Sequence, residues 1–285
     1  MQYLITGATG DIGSKVVEGL IRYGERPRVF VRDVEKAKAR FGNRVDVSAG
    51  DLANAAALSA ALEEVDALFL VNSGPQIPVR DEAVAKASKS AGVRHLVKLS
   101  SMDVQQGLAI GAWHEQGEIA IRATGIPFTF VQPTGFMSNL LAWARSVKCE
   151  GVVRSATGEG RRAFIHSEDI AAVAVWVLTT GAYEGQSLPI TGPEALTFRE
   201  ATAKIGAAIG KPVTFVPISD EEARQRYSAI SGSDEETEAH VALWRAIREG
   251  RLAAVNDNVE QIVGRKPIAL DQWIAENIAA FTDLS

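Results

Sequence analysis

Met1-Gln2-Tyr3-Leu4-Ile5-Thr6-Gly7-Ala8-Thr9-Gly10-Asp11-Ile12-Gly13 opens the chain, and the reading of this stretch decides the fold. Tyr3, Leu4 and Ile5 form a short apolar run that ends in Thr6. Glycines then recur every third residue, at Gly7, Gly10 and Gly13, and Ile12, Val16, Val17, Leu20 and Ile21 follow at helical spacing. Strand, glycine-rich turn and helix in that order let backbone N–H groups approach a pyrophosphate, while the helix N-terminus supplies partial positive charge. A side chain at Gly7 or Gly10 would hold the phosphates away, and one at Gly13 would push the helix off the strand. The turn, with Thr9, Asp11 and Ile12 between its glycines, is read as a dinucleotide-binding loop. A tight strand–helix turn with no ligand is the alternative.

Outward from that turn, apolar runs without strict alternation recur at 2–6, 27–32, 44–49, 66–72, 94–100 and 127–131, as expected of parallel strands covered on both faces. Helical patterns lie between them at 12–23, 34–40, 53–63, 78–91 and 113–124, and Gly24, Gly42, Gly92 and Gly125 mark helix ends. Repeated βα units build an α/β fold with a doubly wound parallel sheet of Rossmann type. After about residue 133 the rhythm changes to Pro- and Gly-punctuated segments, apart from 166–180, which reads as a helix returning to the sheet. The expected division is a dinucleotide domain of 1–133 plus about 166–184. A smaller substrate lobe would take about 134–165 and 185–285. Residues 231–236 (Ser-Gly-Ser-Asp-Glu-Glu) read as a mobile loop.

The totals narrow the function classes. With 285 residues and 46% hydrophobic content the chain can bury a large core. Its net charge of −5, from 30 basic and 35 acidic residues, speaks against a general nucleic-acid binder. Cys149 is the single cysteine, so neither a disulfide framework nor a cysteine-rich metal site is expected, and no metal site is read elsewhere. No apolar run has membrane-spanning length. The first strand begins at once, which leaves no space for a leader ahead of it. The expected setting is the cytoplasm.

The end of the second strand should meet the adenosine ribose, where NAD sites place a carboxylate. Arg32 stands there, with Asp33 next to it and Lys36 one helical turn on. A guanidinium suits a 2′-phosphate, so NADP(H) is expected, with NAD(H) open because Asp33 can turn inward. Asp51 closes the third strand and can accept from the adenine amino group while Leu52 packs on the ring. A helix N-cap is its other reading. Asn72 and Ser73 close the fourth strand, where the chain passes the nicotinamide ribose.

These residues add up to a resemblance. Thr6 to Gly13, Val31-Arg32-Asp33, Gly50-Asp51-Leu52 and Ala91 to Val97 resemble the signature of atypical short-chain dehydrogenases. Trp113 to Glu118, Ile121 to Thr129, Gln132 to Asn139 and Ala163 to Ala171 are similar to its NmrA-like branch. That branch includes quinone, triphenylmethane-dye and ergot-type imine reductases as well as redox-sensing regulators. The resemblance covers essentially the whole chain and implies an NAD(P)-binding fold.

Typical short-chain dehydrogenases use Tyr-x-x-x-Lys on one helix face, and this chain has His114 and Glu118 in those places. At i, i+4 the two share a face. His114 is the candidate proton donor, oriented or charge-stabilised by Glu118. Two ordinary helix residues are the alternative. Ser100 and Ser101 end the fifth strand, where a hydroxyl could polarise a substrate carbonyl and Ser100 would also border the cofactor. Asp103 is a candidate wall residue. Pro133 leads out of the sixth strand beside the nicotinamide, and Met102, Trp113, Phe136 and Met137 are expected to line a substrate pocket. Trp143 is assigned to the core.

Two functions follow. One is an NADPH-dependent reductase that passes hydride to a conjugated small molecule. The other is a non-catalytic NADP(H) sensor that acts through a regulatory protein partner, with the acidic segment 233–238 as the contact. A helical face of Val241, Leu243, Trp244 and Ile247 suggests a homodimer.

Overall fold

The structure is a computed structural model that describes residues 1–231 and 233–282. Its elements begin with β1 (Tyr3–Thr6), α1 (Asp11–Arg22), β2 (Arg28–Val31), α2 (Val34–Phe41), β3 (Asp46–Ala49), α3 (Ala55–Ala61), β4 (Ala67–Leu70) and α4 (Ile77–Ser90). They continue with β5 (His95–Leu99), α5 (Ala109–Thr124), β6 (Phe128–Pro133), β7 (Gly135–Phe136), α6 (Ala144–Glu150), β8 (Val152–Ser155), β9 (Arg161–Ile165) and α7 (Ser167–Thr180). The last group is β10 (Gln186–Ile190), β11 (Ala195–Thr197), α8 (Phe198–Ala208), β12 (Thr214–Pro217), α9 (Asp220–Ser231), α10 (Asp234–Arg248), α11 (Asn258–Val263), α12 (Leu270–Glu276) and α13 (Ala279–Thr282).

Two compact units emerge, and each is made of separate pieces of chain. The first comprises Met1–Met102, Ala112–Pro133 and Ser167–Pro189. The second comprises residues 103–111, 134–166 and 190–285.

Seven strands of the first unit form one sheet in the order β10-β6-β5-β4-β1-β2-β3. The ladders β1–β2, β1–β4, β2–β3, β4–β5 and β5–β6 are all parallel, with Leu4 opposite both Arg28 and Leu68. Every residue of β1, β4 and β5 is buried, because helices cover both faces. The edge strand β3 is only half-buried. Sequence order changes direction between β4 and β2, with β1 at the turning point. A doubly wound sheet binds ligands in the crevice at such a point. On one face α1 buries Ile12, Val16, Val17 and Leu20, and Gly19 lets Val175 of α7 close upon it. Burying one such aliphatic side chain contributes about 1.5–3 kcal/mol. α5 lies over β6, with the Arg122 guanidinium 4.5 Å from the ring centre of Phe128.

The second unit has a three-stranded sheet, β11-β9-β7, and the parallel pair β12–β8. Its core gathers Leu140, Val147, Phe164, Phe198 and Trp273. Trp143 packs there as expected, its ring 5.4 Å from that of Phe198. Three expectations change. Met137 was read as a pocket residue, but it is 1% exposed and sits in this core. The face of Val241, Leu243, Trp244 and Ile247, expected to support a homodimer, is turned largely inward. Val241 and Ile247 are buried, and Leu243 and Trp244 pack against the same core. The segment 231–236, expected as a loop, is helical at Ser231 and from Asp234 onward. Gly232 lies outside the described residues, Ser231 ends α9, and Ser233 caps α10 by accepting from the Glu236 N–H at 3.3 Å. Asp234, Glu235 and Glu236 therefore occupy a helical first turn, where negative charge meets the positive end of the dipole. No helix among the described residues is long and apolar enough to cross a membrane.

Candidate active site

The glycine turn has the geometry its spacing requires. Gly7 has a φ of +59°, and a Cβ there would stand 2.9 Å from Val71 Cβ. A Cβ on Gly13 would collide with the Gly7 carbonyl, at 2.7 Å from its carbon. At Gly10 a Cβ would lie 3.2 Å from the same carbonyl oxygen. Gly10 is the N-cap of α1 and no side chain caps it, which leaves the helix N-terminus to the backbone and to whatever approaches it. Thr6 fixes the turn to β4, its Oγ1 accepting from the Val71 N–H at 2.7 Å.

Beside this turn, at the ends of β1, β2 and β4, opens a cavity of about 330 Å³ lined by Gly7, Thr9, Arg32, Asp51, Asn72 and Arg80 among others. Leu52 and Ser73 also border it. Gly7, Ala8 and Thr9 of the turn border it, and two guanidinium groups stand on its wall. These residues fit a dinucleotide phosphate. The Arg32 side chain is 84% exposed and lies 3.9 Å from Asp51. Asp33 is committed elsewhere, since it caps α2 through the Lys36 N–H at 2.9 Å. Lys36 itself is exposed beyond the cavity lining. Asp51 caps its own turn, accepting from the Ala53 N–H at 2.9 Å. Ile12 is buried beneath the turn, while the Asp11 carboxylate holds Lys15 and accepts from Ser167 Oγ.

A second group of residues lies at the end of β5 and along α5. Ser100 Oγ donates to Glu118 Oε1 at 2.5 Å, and Gln132 Nε2 of β6 donates to the same oxygen at 2.8 Å. Burial pushes the Glu118 carboxyl above its ordinary range. The Ser100 and Gln132 hydrogen bonds and the charges of Lys98 and Arg122 work in the opposite direction. His114 turns to Lys98, its Nδ1 being 3.2 Å from Nζ. Burial and the Lys98 charge hold the imidazole well below its ordinary range. The expected partnership of His114 with Glu118 is therefore replaced by two separate ones. The neutral imidazole is thereby favoured over the imidazolium. Ser100 gives its hydrogen to Glu118, so with that carboxyl ionised it offers a substrate only lone pairs.

The remaining expectations fall as follows. Asp103 is no pocket wall, because it is buried in the second unit against Arg162 at 3.3 Å. Gly135 lies over that guanidinium, where a Cβ would stand 2.9 Å from Arg162 Cδ. Met102, Trp113 and Phe136 are half-buried, and Pro133 is buried at the end of β6. Three residues escaped the sequence reading: Arg80, Asp81 and Lys98. Asp81 pairs with Lys98, and both side chains are wholly buried. The signal was present, since a lysine inside the apolar strand His95-Leu96-Val97-Lys98-Leu99 needs a buried partner.

A family model described as NAD(P)H-binding matches residues 7–180, more than half of the chain. The chain belongs to this family. Among its relatives is a (4-alkanoyl-5-oxo-2,5-dihydrofuran-3-yl)methyl phosphate reductase of Streptomyces griseus, 40% identical over 98% of both chains. An NAD(P)H azoreductase of Xenophilus azovorans is 35% identical, again over 98% of both. The NADPH-dependent quinone oxidoreductase of Escherichia coli, solved in complex with NADPH, superposes with a TM-score of 0.88 at 25% identity. That match covers 97% of this chain and 99% of the other. As a member of the family, this reductase binds NAD(P)H.

Proposed function

We propose that this reductase passes hydride from NADPH to a conjugated small-molecule acceptor of the quinone, dye or imine type, and that Glu118 delivers the accompanying proton through Ser100. The observation that carries the reading is the buried Ser100–Glu118–Gln132 group, which lies in the same compact unit as the dinucleotide cavity. The printed activities of these three relatives, a furanone phosphate reductase, an azoreductase and a quinone oxidoreductase, support the choice of acceptor. The lone exposed thiol of Cys149 fits a reducing, cytoplasmic setting.

The bound cofactor supplies a hydride; a proton and a place for developing charge must come from the chain. When Glu118 is ionised, Ser100 donates to it. When Glu118 is protonated, its O–H reaches Ser100 Oγ and the serine hydrogen is free to turn outward. Burial keeps that second state populated to higher pH than in an ordinary carboxylic acid. Gln132 then holds the carboxylate that remains. Turnover should therefore fall as pH rises through the elevated Glu118 pKa. Glu118→Gln should lower kcat about a hundredfold and flatten that limb of the pH–rate profile. A profile in Glu118→Gln that keeps the wild-type limb would remove Glu118 from the proton path.

Arg32 is proposed to grip the 2′-phosphate, a reading supported by its exposed guanidinium and by the use of Asp33 as a cap. A charged hydrogen bond of this kind contributes about 1.5–3 kcal/mol. Arg32→Ala should accordingly weaken NADPH binding roughly tenfold to a hundredfold and leave NADH nearly unchanged, as read by fluorescence titration of both nucleotides. An unchanged ratio would end the assignment. For the reaction itself, purified protein is mixed with NADPH and a panel of quinones, triarylmethane dyes and imines, and the reduced-nicotinamide absorbance is followed. Tight binding with no consumption anywhere in the panel would defeat the reading.

A further inference from the structure

Lys98 and Asp81 form an ion pair of wholly buried side chains, one near the C-terminal end of β5 and the other on α4. Such a pair contributes little to stability compared with apolar residues of the same volume, so its presence calls for a second use. Two further contacts suggest one. The Lys98 ammonium also reaches His114 Nδ1 at 3.2 Å. The other Asp81 oxygen accepts from Asn72 Nδ2 at 3.2 Å, and Asn72 lines the dinucleotide cavity. The row Asn72, Asp81, Lys98, His114 thus runs from the cavity wall to α5. Gly117, three residues beyond His114, is what allows α5 so close. A Cβ there would collide with the Asp81 carboxylate, at 3.1 Å from its Cγ.

We infer that Lys98 is a positioning residue that fixes His114 as the neutral tautomer with its hydrogen on Nε2, and that the site is thereby matched to acceptors whose oxygen gains negative charge on reduction. An ammonium has donors only, so the ring nitrogen facing it must accept, and the hydrogen of a neutral imidazole then sits on the other nitrogen. The low imidazole pKa described above keeps that form in place at neutral pH. The identity of the acceptor atom rests on the reductase reading. Hydride addition to a quinone or enone breaks the donor C–H bond of the reduced nicotinamide, forms one new bond to hydrogen at one end of the conjugated system and pushes an electron pair onto the carbonyl oxygen at the other end. The Nε2–H donates to the resulting enolate or phenolate oxygen, and the proton from Glu118 then neutralises it. A triarylmethane cation becomes neutral on accepting hydride and has no such use for the donor.

Long-range 1H–15N spectra of the NADP+-saturated chain test the inference, with the His114 signals assigned by their loss in His114→Gln. The wild type should show the Nε2–H pattern at pH 7. Lys98→Met should show mixed tautomers at His114 and a kcat for quinone at least tenfold lower, with KM for NADPH unchanged. Lys98→Arg should restore part of that rate. Should Lys98→Met fail to fold, Asp81→Asn/Lys98→Met, which leaves no unpaired buried charge, removes the same ammonium and gives the same answer. A charged ring, a hydrogen on Nδ1, or a His114 spectrum indifferent to Lys98 overturns the inference. Failure of the wild type to reduce any acceptor would instead overturn the proposed function and leave the tautomer result standing.

Discussion

Gly13→Val should abolish dinucleotide binding and lower folding stability by about 1–3 kcal/mol, the usual penalty for overpacking a closed site. Gly13 is the first buried glycine of α1, and the atoms that a Cβ would strike are the carbonyl of Gly7 and Cα of Ala8. Those are backbone atoms at the tip of the turn. They cannot rotate aside as a side chain would, so the helix must lift or the turn must open. Either movement displaces the uncapped Gly10 and the N–H groups of the cradle together. Valine and glycine have similarly poor helix propensity, so the change in propensity offsets little of the clash. Titration calorimetry with NADPH should show no binding heat, and urea unfolding should show the lower midpoint. Wild-type affinity in this variant would mean that the turn is not where phosphate sits.

Asp81→Ala carries the second large effect. Its side chain and that of Lys98 are both 0% exposed, and removing the carboxylate leaves an ammonium in the core with His114 as its main remaining partner. Breaking a buried pair from one side costs about 3–5 kcal/mol. The double variant Asp81→Ala/Lys98→Met should recover a large part of that loss, because no uncompensated charge is left behind. The four proteins form a double-mutant cycle by urea unfolding, and their coupling should be strongly favourable. A single variant within about 1 kcal/mol of wild type, or a double variant no better than the single one, would show that the pair is not under electrostatic constraint.

What the sequence disclosed and what it hid follow one physical line. A backbone cradle demands glycine at fixed spacing, so Gly7, Gly10 and Gly13 could be read without neighbours. The central strands β1, β4 and β5 announced themselves as apolar runs because helices cover both faces of the sheet. α7 was equally plain in 166–180. The pairing of side chains was not legible, since it depends on sheet order and on the rotation of helices. Lys98 and Asp81 are 17 residues apart in sequence and meet only because α4 packs beside β5. The i, i+4 relation of His114 and Glu118 was read correctly as a shared face, yet each reaches a different strand residue, Lys98 in one case and Ser100 in the other. Met137 and the Val241–Ile247 stripe were recognised as apolar surfaces. An apolar stripe says that something covers it and does not say what, and here it is the core of their own unit.

Residues 1–133 do not complete the first unit. Its sheet ends in β10, and its first helix is covered by α7, both supplied by Ser167–Pro189 after the chain has left and returned. Chain cut anywhere between 134 and 166 therefore separates covalently what the sheet needs joined. A fragment ending near residue 133 would expose the flank of α1 and the open edge of β6, both apolar and prone to association. Exchanging the second unit for that of a relative thus means grafting several segments at matched crossings.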